Sequence, residues 1–290
     1  MEHFLALDIG GTKFGSGVVS EKGGVISYVA APTPKGGSGS ELWELASRLL
    51  HQAVEKSDVK AISAVGIGCG GPMVPEKGIV SPLNIPGWRD FPLRASIENE
   101  FGLSVFLDND GKALTLGEGL FGHGKDKKNF MAMVVSTGIG GGIILDGRLL
   151  NGRLGNAGHI GHVNIEKNGN VCGCGAVGCL EAQASGLAIA KYYGMDPRQA
   201  TDDVKVRCGK DVGRGVASVA SLLDLDLIVV GGSVALGFGD LFFDAAQREL
   251  SARARLSFSS TARIVPVGLG EQGPIIGAAT VAISRLRGLF

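Results

Sequence analysis

The chain has 290 residues, enough for two domains of ~100–200 residues each. Its 28 basic and 28 acidic side chains cancel, and no basic block stands out, which excludes a broad nucleic-acid surface. Apolar runs such as 130–135 and 225–230 are too short to span a bilayer. The opening Met1-Glu2-His3 is no basic-then-apolar leader, so a protein of the reducing cytoplasm with free thiols is expected. Glycine supplies 48 residues, well above the usual ~7 %, and it gathers in turns that could approach a ligand closely.

Residues 4–9 read as a buried strand running into Asp8-Ile9-Gly10-Gly11-Thr12-Lys13, with strands at 16–20 and 25–31 behind it. Such a turn can offer backbone N–H groups and the Thr12 hydroxyl to a phosphate, while Asp8 can hold a magnesium ion or its water. An ordinary Gly-Gly hairpin gives the same pattern. No helix opens after the glycines, so this is not a dinucleotide fingerprint. A helix is predicted over 38–57, where Leu42, Leu45, Ala46, Leu49, Leu50, Ala53 and Val54 recur at three and four, with Ser38 and Glu41 as a capping box.

A buried strand at 64–69 ends in Gly70-Gly71-Pro72, and Cys69 reads as a small buried thiol. A strand at 78–81 leads to Asn84-Ile85-Pro86-Gly87-Trp88, where Asn84 suits an Asx turn before Pro86. A strand at 105–107 delivers Asp108-Asn109-Asp110 to a helix over 111–120. A carboxylate at that junction suits a general base for phosphoryl transfer, and Asp108 or Asp110 could also simply cap the helix.

Residues 131–137 form a second strand that enters a glycine turn, Thr137-Gly138-Ile139-Gly140-Gly141-Gly142, with 143–146 leading out. This repeats the first hairpin: strand, glycines with a threonine, strand. Two copies say more than one. Further on, a helix is expected over 180–193, no period over 197–211, and a helix over 212–223. Then come a strand at 227–230 ending in Gly231-Gly232-Ser233, a helix over 240–254, a strand at 264–269 and a last helix over 274–286.

The densest chemistry lies between the hairpin and those helices. Gly155-Asn156-Ala157-Gly158-His159-Ile160-Gly161-His162 is followed by Cys172, Cys174 and Cys179 at C-x-C-x4-C. Three thiolates and the His162 imidazole make the closed donor set of structural zinc, with Gly173, Gly175 and Gly178 letting the loop converge. A disulfide pair with a spare thiol is the other reading. With zinc on one nitrogen of His162, the other could meet a ligand, and Glu181, two residues past the last cysteine, could accept from it too or be only a solvated first-turn helix carboxylate.

Gly-x-x-Gly-x-Ile-Gly-His followed by C-x-C-G-x-x-G-C-x-E resembles the zinc signature of the ROK family of sugar kinases and sugar-responsive repressors. The two glycine hairpins are similar to the phosphate loops of the wider actin, Hsp70 and hexokinase superfamily. The resemblance implies an α/β, two-lobed actin- and hexokinase-like (ribonuclease H-like) fold with ATP and sugar in an interlobe cleft. The lobes are expected at 1–115, with the helix of 275–290 packing back on it, and 116–274 with the zinc loop. It implies ATP-dependent phosphorylation of a hexose or N-acetylhexosamine 6-hydroxyl, with ATP, Mg2+ and structural Zn2+ as cofactors.

The resemblance assigns Asp110 as base, and Asn84, Asn109, Asp110, His159, His162 and Glu181 as sugar ligands. Nucleotide and magnesium contacts fall to Asp8, Gly10, Gly11, Thr12, Lys13, Thr137, Gly138, Gly140, Gly141, Gly231 and Gly232, and zinc to His162, Cys172, Cys174 and Cys179. The stretch from 185 to 231 is shorter than the family pattern. Most family kinases carry Glu where this chain has His159, and Ala-Gly-His-Ile-Gly-His resembles the bacterial N-acetylmannosamine kinases. That sugar is therefore the expected substrate, with glucose as the alternative. A non-catalytic sugar sensor is the reading from another class, and the repressors' DNA-binding helices would precede the first strand, where only three residues stand. A homodimer with no membrane or nucleic-acid partner completes the expectation.

Overall fold

Alternation along the first strand sets the plan of the computed structural model, which describes all 290 residues. In β1 (His3–Ile9), Leu5, Leu7 and Ile9 join one core while Phe4 and Ala6 join another. That is the period of two expected of a strand covered on both faces. β2 (Lys13–Ser20) and β3 (Val25–Pro32) continue the sheet antiparallel. The chain then returns through α1 (Gly39–Ser57), whose Ser38–Glu41 capping box is formed. Leu42, Leu45, Leu49 and Leu50 of α1 cover the Leu5–Leu7–Ile9 face.

β4 (Ala64–Cys69) lies parallel to β1. A short hairpin of β5 (Met73–Val74) and β6 (Ile79–Val80) follows, then α2 (Leu93–Phe101), a helix that the sequence pattern does not announce. β7 (Val105–Asn109) pairs parallel with β4 and gives the order β3-β2-β1-β4-β7. α3 (Asp110–Phe121) starts directly at its end.

The same succession then recurs. β8 (Phe130–Val135), β9 (Ile139–Leu145) and β10 (Arg148–Leu149) are antiparallel neighbours. After the cysteine loop come α4 (Leu180–Ala184), α5 (Gly186–Tyr193) and α6 (Asp202–Leu223). β11 (Leu227–Gly231) lies parallel to β8, α7 (Ser233–Phe238) and α8 (Asp240–Arg253) follow, and β12 (Arg263–Pro266) closes the order β10-β9-β8-β11-β12. Both sheets thus read antiparallel, antiparallel, parallel, parallel.

α9 (Gly273–Arg287) belongs to the first sheet: Ile275, Ile276, Ala278, Ala279, Ala282 and Ile283 meet Phe4, Ala6, Val19 and Ala64. It approaches α3 closely because Gly277 lies where a Cβ would meet the Ala113 carbonyl at 2.6 Å. The chain divides into Met1–Asp126 with Asn151–Ala157 and Gly268–Phe290, and Lys127–Leu150 with Gly158–Val267. All of α3, beyond residue 115, falls in the first unit.

Three expectations are corrected. The helix expected over 180–193 is two helices, because Ser185 is extended (ψ 162°) and its side chain caps α5 by accepting from the Ala188 N–H. The helix expected from 212 begins ten residues earlier, since Val204, Cys208 and Val212 form one buried stripe with Gly209 and Gly213 set against α8. The strand expected to 269 stops at Pro266, after which the chain turns into α9.

Candidate active site

In the first unit, the first glycine turn is closed by Gly10 N–H donating to Lys13 O at 3.0 Å. Thr33 fastens it from β3's end, its hydroxyl donating to Gly10 O at 2.8 Å and its N–H to Thr12 O at 3.0 Å. Gly11 lies against Asn84, whose Cβ a Cβ at Gly11 would meet at 2.8 Å. A cavity of about 230 Å³ opens there, lined by Gly11, Thr33, Pro34, Asn84 and Pro86 among others. Asn84 itself is exposed.

At the β7–α3 junction the three polar residues have three different settings. Asn109 is the N-cap, its Oδ1 accepting from Gly111 N–H at 3.0 Å. Asp110 is half-buried, and its Oδ1 accepts from the same N–H at 2.8 Å. Asp108 points into the protein, 1 % exposed, with Oδ1 3.6 Å from Lys112 Nζ and Oδ2 3.7 Å from Arg285. The sequence-based alternative that Asp108 caps the helix is therefore overturned. Burial raises the Asp108 pKa, and the Lys112 charge opposes the rise.

Asp8 faces the same junction. Burial, then the charge of Asp110, pushes its carboxyl up to about 7 against the pull of Lys13. The buried Cys69 thiol is raised well above its ordinary value by burial and by both carboxylates. An acid raised in this way by an acidic neighbour marks a site short of positive charge.

In the second unit, the second glycine turn has Ser136 N–H donating to Gly138 O at 2.9 Å. The start of α5 holds its carbonyls: Gly186 N–H donates to Ser136 O at 2.7 Å and Leu187 N–H to Thr137 O at 3.1 Å. Ser136 and Ser233 hydroxyls meet at 2.9 Å, joining this turn to the start of α7 beside Gly231 and Gly232. Gly232 takes φ +98° and leaves no room for a Cβ against the Val135 backbone.

The His159–His162 turn lies on β9 by way of two glycines. A Cβ at Gly158 would collide with Gly141 O, and one at Gly161 with Ile139 O. Ile160 is thereby driven into the core, 3 % exposed, and the His159 and His162 rings lie nearly parallel with centroids 6.1 Å apart. His162 Nδ1 is 3.7 Å from Cys172 Sγ, Cys174 Sγ is 3.8 Å from Cys179 Sγ, and all four ligand atoms lie within 4.8 Å of one another. Metal–sulfur bonds of ~2.3 Å set tetrahedrally imply sulfur separations near ~3.8 Å, so the donor set fits zinc. The cysteines are free thiols. Gly175 (φ +91°) and Gly178 (φ +84°) are left-handed as such a loop requires, while Gly173 has open space around it and no left-handed φ, so its glycine is not needed for convergence.

The decisive comparison is with family models: residues 4–285 match the one described as ROK family. The chain belongs to the ROK family, and it is a sugar kinase. It is 32 % identical to the glucokinase of Thermotoga maritima, over 98 % of both chains. To the N-acetylmannosamine kinase of Yersinia pseudotuberculosis it is 38 % identical, over 82 % of this chain and 85 % of the relative. Among solved structures it resembles a ROK glucokinase from Streptomyces griseus in complex with glucose and AMPPNP, with a TM-score of 0.84, 29 % identity and coverage of 96 % and 98 %.

Sequence reasoning missed two features of this ROK kinase. Glu181 Oε2 accepts from Ile139 N–H at 2.8 Å, so the carboxylate after the last cysteine also holds the second glycine turn. Lys112, 1 % exposed, lies behind Asp108–Asp110 and reaches Asn151 and Gly155. Only its i,i+4 spacing from Asp108 hinted at a pair, and that spacing more often marks an exposed helix face.

Proposed function

We propose that this ROK kinase transfers the γ-phosphoryl of ATP to the 6-hydroxyl of an N-acetylhexosamine, N-acetylmannosamine first. The observation that carries the choice of sugar is His159, fixed beside His162 by Gly158 and Gly161 where the family's kinases mostly carry Glu. A neutral imidazole accepts one hydrogen bond where a carboxylate accepts several, so the sugar it suits has fewer donors there. The 38 % identity to an N-acetylmannosamine kinase supports this reading, and the 98 % coverage of a glucokinase keeps glucose as the alternative.

In this reading Asp110 takes the proton of the attacking hydroxyl, and Asn109, its Oδ1 occupied by the helix cap, offers its amide NH2 to a neighbouring hydroxyl. Asn84, His159, His162 through Nε2, and Glu181 take other hydroxyls. Gly10–Lys13 and Thr137, Gly138, Gly140 and Gly141 present backbone to phosphates, with Gly231 and Gly232 on the adenosine side. Magnesium, which would neutralise phosphate charge, falls to Asp8, whose raised pKa marks a place where a cation is favoured. Zinc, held by His162, Cys172, Cys174 and Cys179, would fix the ring of His162 for the sugar.

A homodimer working in the cytoplasm is part of the same reading, and no helix is long and apolar enough to cross a membrane. A coupled assay with ATP and a hexose panel tests it. N-acetylmannosamine is expected to outcompete glucose, and His159→Glu to narrow or reverse the preference. A better rate on glucose in the unmodified protein would make it a glucokinase.

A further inference from the structure

Lys112 stands two residues after Asp110, too deeply buried to touch a substrate. Its ammonium is met by three oxygens: Asp108 Oδ1 at 3.6 Å, Asn151 Oδ1 at 3.0 Å and Gly155 O at 2.8 Å. Burying an ammonium is costly unless its protons and its charge are answered, and this arrangement supplies two hydrogen bonds and one carboxylate. A loop anchor alone would not call for a charge, since an apolar side chain could seat a loop without that cost.

The two directions in which Lys112 reaches are different in kind. Asp108 Oδ1 also accepts from Asn109 N–H at 2.8 Å, so on one side the ammonium stands directly behind the Asn109–Asp110 pair. On the other side it holds Asn151–Ala157, a segment with neither helix nor strand that belongs to the first unit. That segment is further shaped by Ala157 N–H donating to Asn151 O at 3.0 Å and by Gly155 at φ +75°, tight against Pro75. Gly155 is four residues short of His159 in the chain.

We propose that Lys112 is a positioning residue for the sugar, one ammonium fixing both the Asn109–Asp110 junction and the segment that leads to His159. The inference rests on the reading of Asn109, Asp110 and His159 as sugar ligands. Lys112 contributes no atom to the reaction. It sets where the Asn109–Asp110 ligands stand and how the 151–157 segment is held, so its loss is felt by the sugar and not by the nucleotide.

The test measures kcat and both KM values on the hexose the unmodified enzyme phosphorylates best, with hydrogen exchange of the 151–157 peptide. Lys112→Met keeps the stem and deletes the donors. It should raise the sugar KM about tenfold, the effect of ~1.4 kcal/mol, leave the ATP KM within about twofold, and speed exchange of that peptide above the rest of the chain. Should Lys112→Met fail to fold, Asn151 carries the test. Asn151→Leu should raise the sugar KM at least about threefold, since it deletes a hydrogen bond from an ammonium, while Asn151→Asp keeps the acceptor and the KM. Equal changes in both KM values, Asn151→Asp as harmful as Asn151→Leu, or unchanged exchange would overturn the proposal. Asp110→Asn is the reference: if it keeps full turnover, the reading of the sugar ligands fails, while the exchange result still judges the clamp.

Discussion

Asp108 and Asp110 are two residues apart and would respond to the same substitution in opposite ways. Asp110→Asn keeps shape and removes basicity, so turnover should fall ~10²–10⁴-fold with sugar KM far less affected. Asp108→Asn instead leaves Lys112 buried without its carboxylate, a loss of roughly 3–5 kcal/mol that thermal unfolding would register. If Asp108→Asn unfolds like the unmodified protein while losing all activity, the two roles are exchanged. Asp8 adds a pH dependence. With its carboxyl near 7 it must lose a proton before it can hold a cation, so turnover should climb as pH rises through about 7. Asp8→Asn should lower turnover and flatten that climb.

The elements show why part of this site was legible in the sequence and part was not. Strands covered on both faces, such as Leu5–Leu7–Ile9 against Phe4–Ala6, read as unbroken apolar runs, and the Ser38–Glu41 box marked α1 to the residue. The glycine turns and the cysteine spacing were legible because glycine and thiolate each do something no other residue does. Long-range partners leave no such trace. Nothing local says that Glu181 will meet Ile139 N–H, that Asp108 will turn inward, or that Ser185 will break a helix to cap the next one.

Two changes test the loop as an element. The unmodified protein should carry about one zinc per chain, and Cys174→Ser should lose it and sugar binding with it. A zinc-free protein of normal activity would refute that. Gly161→Ala should cost ~1–3 kcal/mol, because its methyl meets the Ile139 carbonyl and the His159–His162 turn must lift from β9.

At the scale of the whole molecule, the half-buried Asp8 and the buried Asp211 tie stability to pH. Asp8 is raised to about 7, and Asp211 to about 6 by burial and the Glu166 and Glu249 charges, with Arg207 and Arg214 opposing. A raised acid keeps in the folded state a proton that the unfolded chain gives up near pH 4. Stability should therefore be greatest at the acidic end of pH 4–7 and decline as pH rises through it, in the absence of divalent cation. Melting temperatures between pH 5 and 8 should show the decline, and Asp211→Asn should remove the part that ends near 6. A Tm that climbs over this range would contradict both assignments.

The place of α9 has a consequence for how the chain is made. Lys127–Val267 apart from Asn151–Ala157 forms a sheet with its own helices, whereas the first unit's second core waits for Ile275, Ala279 and Ile283 near the end of the chain. Domains leaving the ribosome ordinarily mature from the N-terminus onward. Here the part made first must remain unfinished, with Phe4, Ala6 and Val19 uncovered on one face, until the last helix emerges. A nascent chain arrested after Val267 should yield a protease-resistant fragment from its later half and none from its earlier half, and chaperones that bind exposed apolar strands should be found on β1 and β2 until α9 is released.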